Sequence, residues 1–84
     1  MRIISVNYLN DYKLEIIFSN SEKRICDFEF FLKNSKNKSI SKYLNIQLFK
    51  KVIVDTGFLS WNDGEMEISA SSAYSEYSIQ EILS

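Results

Sequence analysis

In the stretch Tyr12-Lys13-Leu14-Glu15-Ile16-Ile17-Phe18 every even position is apolar and the odd positions are mostly polar. Side chains on an extended strand point alternately to the two faces of a sheet, so this pattern specifies a strand with one face in a core and the other toward water. A helix cannot bury residues spaced by two. The strand needs paired neighbours, and a chain of 84 residues has material for one core. The expected organisation is a single domain over residues 1–84.

The neighbours are legible on either side. Ile4, Val6 and Tyr8 repeat the parity one strand earlier, and Asn10-Asp11 supplies the turn, because short Asn and Asp side chains tolerate positive φ. Ser19-Asn20-Ser21-Glu22 marks a second break before Lys23-Arg24-Ile25-Cys26-Asp27-Phe28. The spacing predicts three antiparallel strands in a meander. Strand character returns at Lys51, where Val52, Ile53 and Val54 are β-branched. Thr56-Gly57 then turns the chain into Phe58-Leu59-Ser60-Trp61. Asn62-Asp63-Gly64 is the strongest turn signal, since Gly accepts the positive φ of a tight hairpin, and Met66 and Ile68 alternate with Glu65 and Glu67 beyond it.

Between these strand regions the period is lost. Phe28-Glu29-Phe30-Phe31-Leu32 reads equally as a turn of helix or a strand end, and Lys33 to Ser39 reads as a solvated loop. Short helical turns are expected at Ser41 to Asn45 and at Ile46 to Lys50. Near the end, Ala73, Tyr74 and Tyr77 lie three or four apart, as on one helix face, and Ser78-Ile79-Gln80-Glu81 has the form of a capping box. The expected fold is α+β: a small antiparallel sheet made of a β-meander plus a second hairpin, with short helices and a C-terminal helix packed on it. Leu14, Ile16, Phe18, Val52, Val54 and Trp61 are its expected core.

Composition narrows the chemistry. The chain has no histidine, which removes Ser-His and Cys-His nucleophile pairs, a histidine general base and His-containing zinc sites together. One cysteine permits no internal disulfide, and no apolar run approaches the ~18 residues of a membrane helix. A soluble, cytoplasmic protein is expected, with no membrane partner. The net charge of −1 conceals a strong asymmetry: residues 30–54 carry six lysines and no acid, residues 55–84 carry six acids and no base. Two surfaces of opposite sign, or internal pairing, both follow from that distribution.

Candidate residues are few. Asp27, Asp63, Glu65 and Glu67 are the carboxylates a hard metal would need, but acids on the outer face of a hairpin commonly limit edge pairing, and Asp27 fits a cap at the following turn. Cys26 has no neighbouring base to activate it and reads as a small buried hydrophobe. No catalytic group, cofactor site or metal site is expected, and the chain reads as a non-enzyme. Lys33, Lys36, Lys38, Lys42, Lys50 and Lys51 form a candidate nucleic-acid-binding segment, although it lacks arginine and Arg-aromatic interleaving. Aromatic residues make up 14 % of the chain, more than one small core can cover. Phe30, Tyr43, Phe58, Tyr74 and Tyr77 are the candidate partner-binding residues, because aromatic side chains bury much area at little entropy cost. Self-association, as a two-fold dimer held more by apolar contact than by charge, is a further expectation.

The order of these features resembles a known family. Tyr12-x-Leu14-x-Ile16-x-Phe18, Asp27 closing the next strand, Leu44 followed by Phe49 and Val52, then Trp61-Asn62-Asp63-Gly64, Ile68 and Tyr74 are similar to domain-of-unknown-function family 2442, small and mostly bacterial proteins. The resemblance runs from about Ile3 to Tyr77, and the Trp-x-Asp-Gly turn with its following strand and Ala-Tyr pair is its most specific part. It implies a small α+β domain without an established activity. It also implies a protein partner encoded nearby, an arrangement that carries a toxin–antitoxin suggestion. Two positions depart from the pattern: Asn62 stands where a proline is frequent, and Glu67 where an aspartate is usual.

Overall fold

The computed structural model describes residues 1–79. Three strands, β1 (Ile3–Asn10), β2 (Lys13–Phe18) and β3 (Lys23–Asp27), form an antiparallel sheet in sequence order. Asp11, with φ of 47°, turns the first hairpin, and Ser21, with φ of 71°, turns the second. Leu14, Ile16 and Phe18 are all buried, as the alternation in β2 requires.

β1 departs from the expected parity. Ile3 is buried while Ile4 is 61 % exposed, and Val6 and Tyr8 are half-buried. The cause is an irregularity in register: Ile3 lies opposite Phe18 but Ser5 lies opposite Ile17, so one extra residue is accommodated between them. A bulge of this kind switches the inward-facing parity of everything beyond it.

A second antiparallel sheet contains β4 (Ile53–Asp55), β5 (Phe58–Trp61) and β6 (Met66–Ile68) in order. Thr56 and Gly57 have φ of 50° and 91°, and Asn62, Asp63 and Gly64 have φ of 50°, 54° and 90°. Three successive left-handed residues explain why this turn is written with Asn, Asp and Gly, the types that tolerate that region best. Trp61, Leu59 and Met66 are buried, whereas Val52 and Val54, expected in the core, only pack against its margin. β4 is a three-residue edge strand, too short to carry its β-branched residues under full cover. The two sheets meet where the Ile3 N–H donates to the Gly57 carbonyl at 2.8 Å.

The connection between sheets is more helical than its sequence indicates. The Asp27 carboxylate accepts the Glu29 N–H at 3.0 Å and opens α1 (Glu29–Asn34), which resolves the Phe28–Leu32 ambiguity as helix. Lys33 and Asn34, expected in a loop, complete its last turn. The Lys38-Ser39 end of that expected loop is also helical, because the Asn37 side chain accepts the Ser39 N–H at 2.9 Å and starts α2 (Lys38–Ser41). A 3₁₀ turn (Lys42–Leu44) and α3 (Ile46–Phe49), capped by the Asn45 side chain on the Gln47 N–H at 3.0 Å, follow where helical turns were expected.

The C-terminal element is α4 (Ala70–Ser72), capped by Ser69 Oγ on the Ser72 N–H, and it continues as a π-helical turn over Ala73–Tyr77. It lies on the first sheet. Arg24 stacks over the Tyr74 ring at 3.6 Å, the Phe18 and Tyr74 rings meet edge-on at 5.1 Å, and the Cys26 thiol donates to the Ala73 carbonyl at 3.3 Å. Ser78 pairs with Cys26 in a β-bridge, and the Ile79 N–H donates to the Ile25 carbonyl at 2.8 Å. The remainder of the expected capping box, with Ile82 and Leu83, lies outside the described residues. Both sheets and α1 share one core centred on Phe28, Phe49 and Trp61, where Phe49 and Trp61 rings are 5.8 Å apart and the Trp61 indole N–H donates to the Phe49 carbonyl at 2.9 Å.

Candidate functional site

Helical geometry sorts the residues of α1 onto different faces. Leu32 is buried, and Phe28, just before the helix, is buried with it. Glu29 and Lys33, one turn apart, pair at 2.7 Å on one flank. Phe30 projects away from the core and is 80 % exposed, the most exposed large hydrophobic side chain among the described residues. The Asn34 side chain, at the end of the helix, donates to the Phe30 carbonyl at 2.8 Å.

Beside Phe30 lies a groove of about 430 Å³. Phe30, Phe31, Asn34 and Ser35 form one wall, and Glu76 and Tyr77 of the π-helical turn form the other. Tyr77 is held from beneath, its ring 4.9 Å from Phe28 and 5.6 Å from Phe31. Burial, and secondarily the Glu76 charge beside it, push the Tyr77 hydroxyl above its ordinary range, so it is a neutral hydrogen-bonding group at physiological pH. The groove is therefore an aromatic slot with one carboxylate in its wall. It offers recognition of an apolar side chain with a nearby cation or donor, and no nucleophile.

The other candidate aromatics are placed differently. Tyr43 is 3 % exposed and belongs to the core, its ring against Trp61 and its hydroxyl donating to Glu65 at 2.7 Å. It is thereby removed from the partner-binding set. Tyr74 is half-buried and held by Arg24 and by its own hydroxyl on Glu22. Phe58 is half-buried in β5. Of the five, Phe30 and Tyr77 share a site. Phe31, Asn34, Ser35 and Glu76 were absent from the expected set, and the i, i+4 pairs Phe30/Asn34 and Phe31/Ser35 were the signal that assigning a helix there would have revealed.

The lysine segment is partly consumed by internal pairing. Lys33 bonds Glu29, Lys42 bonds Glu65, and Lys50 lies 5.5 Å from the Tyr8 ring centroid. Lys36, Lys38 and Lys51 have no ion pair among the described residues. The opposite charges of residues 30–54 and 55–84 thus meet inside one molecule, most clearly at Glu65. Hydrogen bonds from Lys42, then Tyr43 and Asn62, hold its carboxyl down to about 2. That carboxylate joins the crossover to the Asn62–Gly64 turn and is spoken for as a structural acceptor.

Cys26 is fully buried, and burial pushes its thiol up to about 11, so it is protonated at neutral pH. Among the described residues no three of Cys, Asp or Glu converge to hold a metal ion, and no helix is long and apolar enough to cross a membrane.

A small α+β domain with two three-stranded antiparallel sheets, a C-terminal helical turn on the first of them, and a left-handed turn after Trp61 defines the class to which the chain conforms. The family model "Protein of unknown function (DUF2442)" matches residues 3–77, and the chain belongs to that family. No curated protein and no solved structure matches it.

Proposed function

We propose that this chain is a non-enzymatic, cytoplasmic protein-interaction module, the regulatory or antitoxin-like half of a bacterial two-gene system, and that it presents the Phe30 groove to its partners. The observation that carries the reading is the exposure of Phe30. A solvent-exposed phenylalanine gives up most of the roughly 1.5–3 kcal/mol that burial of such a side chain contributes, and here Phe30 is held outward on α1 beside an aromatic slot. Groups with perturbed acidity elsewhere, Glu65, Tyr43 and Cys26, are tied to structural partners or buried, which supports recognition over turnover.

Co-expression with the product of the adjacent gene tests this. Co-purification of the two is expected, and it should be lost in Phe30→Asp while the far-UV circular dichroism of the variant is unchanged. Co-purification that survives Phe30→Asp would move the interface elsewhere. The competing reading, weak nucleic-acid binding through Lys36, Lys38 and Lys51, predicts a salt-sensitive electrophoretic shift of DNA or RNA that Phe30→Asp leaves intact.

A further inference from the structure

Residues 69–79 run from the cap of α4 through the π-helical turn to the outer edge of β3, and they are held to the first sheet differently from any strand. Much of their hydrogen bonding is internal. The Ala73 N–H donates to the Ser69 carbonyl at 3.0 Å, and Ser75 Oγ and Ser78 Oγ donate to the Ser71 and Tyr74 carbonyls, both at 2.7 Å. The residues they bury are Ala70 and Ala73, whose small side chains contribute little apolar area, while Tyr74 and Tyr77 are half-buried. By contrast, β2 is paired along its length with β1 on one side and β3 on the other. A segment with few large buried side chains and few bonds to its surroundings belongs to the low-stability end of a structure.

Arg24 supplies most of the polar attachment. From β3 its guanidinium lies over the Tyr74 ring at 3.6 Å and donates to the Tyr74 carbonyl at 3.3 Å and to Ser78 Oγ at 3.1 Å. Glu22 pairs with Arg24 at 3.1 Å and accepts the Tyr74 hydroxyl. Beneath the segment the Cys26 thiol, fully covered, donates to the Ala73 carbonyl at 3.3 Å. We infer that residues 69–79 form a strap that opens from the first sheet as a unit while the strands stay folded, with Arg24 as its pin. Opening uncovers the Cys26 thiol and releases the Ile25 carbonyl on the edge of β3. It also takes the groove apart, since Glu76 and Tyr77 belong to the strap and Phe30 and Phe31 do not. A molecule bound in the groove therefore holds the strap shut. That consequence rests on the interaction-module reading, and the opening itself does not.

The chain has one cysteine, so thiol labelling reports a single site. The isolated full chain is mixed with an aromatic disulfide reagent, and the rate of Cys26 labelling across a urea series is compared with the exchange of the β2 amides. Cys26 is expected to label through an opening that is more frequent than that of β2 and only weakly dependent on urea, whereas β2 exchange follows global unfolding. Arg24→Met removes the guanidinium from the Tyr74 ring and from its two acceptors. It should speed Cys26 labelling and Ile79 amide exchange by roughly tenfold to a hundredfold, with a smaller change in β2, and Arg24→Lys should fall between. Wild-type labelling with the opening free energy and urea dependence of β2 overturns the inference without recourse to a variant. So does an Arg24→Met chain in which Cys26 labelling is unchanged, or in which Cys26 and β2 accelerate alike. Added product of the adjacent gene should slow Cys26 labelling, because binding to the closed form alone stabilises it, and undiminished labelling in the complex overturns the control of the groove. A chain whose Cys26 labels only on global unfolding, but whose co-purification is lost in Phe30→Asp, overturns the strap and leaves the interaction-module reading standing.

Discussion

The β1–β3 meander and the α1–α3 crossover are both held by the same core, yet burial follows different rules in each. In β2 every second residue is buried, and the pattern can be read off the chain with a ruler. In the crossover the buried residues are Leu32, Tyr43 and Phe49, at separations of 11 and 6, which match no period. A strand flanked by two hydrogen-bonded neighbours has its faces set by the pleat. A helix of four to six residues makes one or two turns, touches the core through one or two side chains and is placed by side chains that accept its first N–H groups, here those of Asp27, Asn37 and Asn45. The crossover is therefore where a side chain as large as Phe30 can be left outside without disturbing the fold, and where a surface for another molecule can be built.

If the meander is the stability-determining region, its interior substitutions should have the largest effects. Leu14→Ala, at a position with no exposure, should cost about 2–5 kcal/mol and lower the thermal midpoint by more than ~10 °C, at about 4–8 °C per kcal/mol for a domain of this size. A midpoint within a few degrees of wild type would break the parity account of β2.

The turn after Trp61 gives a smaller effect. Gly64 has φ of 90°, and an added Cβ would lie 3.3 Å from Glu67 Oε2. Gly64→Ala should cost about 1–2 kcal/mol in a thermal or urea titration, through the left-handed conformation more than through the contact.

The tie between the two regions is sharpened by acid. The Glu65 carboxyl titrates near 2 in the folded chain against an ordinary value of 4.5, so the stability it contributes is complete above about pH 4.5 and is lost as pH falls toward 2. Glu22 and Glu29, also lowered, by the Tyr74 hydroxyl and by Lys33 respectively, act in the same direction. Glu65→Gln should lower the midpoint at pH 7 and flatten its fall between pH 4.5 and 2; an unchanged acid slope would show that Lys42 and Tyr43 do not hold that carboxylate. On the alkaline side, Cys26 and Tyr43 are raised to about 11 and about 12, from 9 and 10, so stability should fall from about pH 9 through 12 as the unfolded chain releases those protons first. Cys26→Ser should remove the earlier part of that decline. Smallest of all, Phe30→Ser should leave stability within about 0.5 kcal/mol of wild type, the behaviour of an exposed position.

The same contrast explains what the amino-acid sequence discloses. Strand alternation located β2 and β6, where burial alternates residue by residue, and the Thr56-Gly57 and Asn62-Asp63-Gly64 turns bracketed β5. It failed at Ile4, where a bulge inserted one residue, and at Val52 and Val54, where β4 is too short and too near the edge to be covered. Tyr43 looked like surplus because nothing local shows that its ring will lie against Trp61, eighteen residues away. The π-helical turn was hidden because spacings of three and four at Ala73, Tyr74 and Tyr77 fit an ordinary helix equally well. Half of the groove was legible: Phe30 and Tyr77 stood out as aromatics in excess, but their meeting depends on how the Ala70–Tyr77 segment settles on the first sheet beside α1.

The central claim, that the crossover carries the contact surface while the meander carries the stability, is tested most directly by amide chemical shifts of the labelled chain recorded as the product of the adjacent gene is added. The account predicts shifts concentrated at Phe30, Phe31, Asn34, Ser35, Glu76 and Tyr77, with Leu14, Ile16 and Trp61 unmoved. Shifts confined to β6 or to Lys50 and Lys51, or none anywhere in the chain, would contradict it.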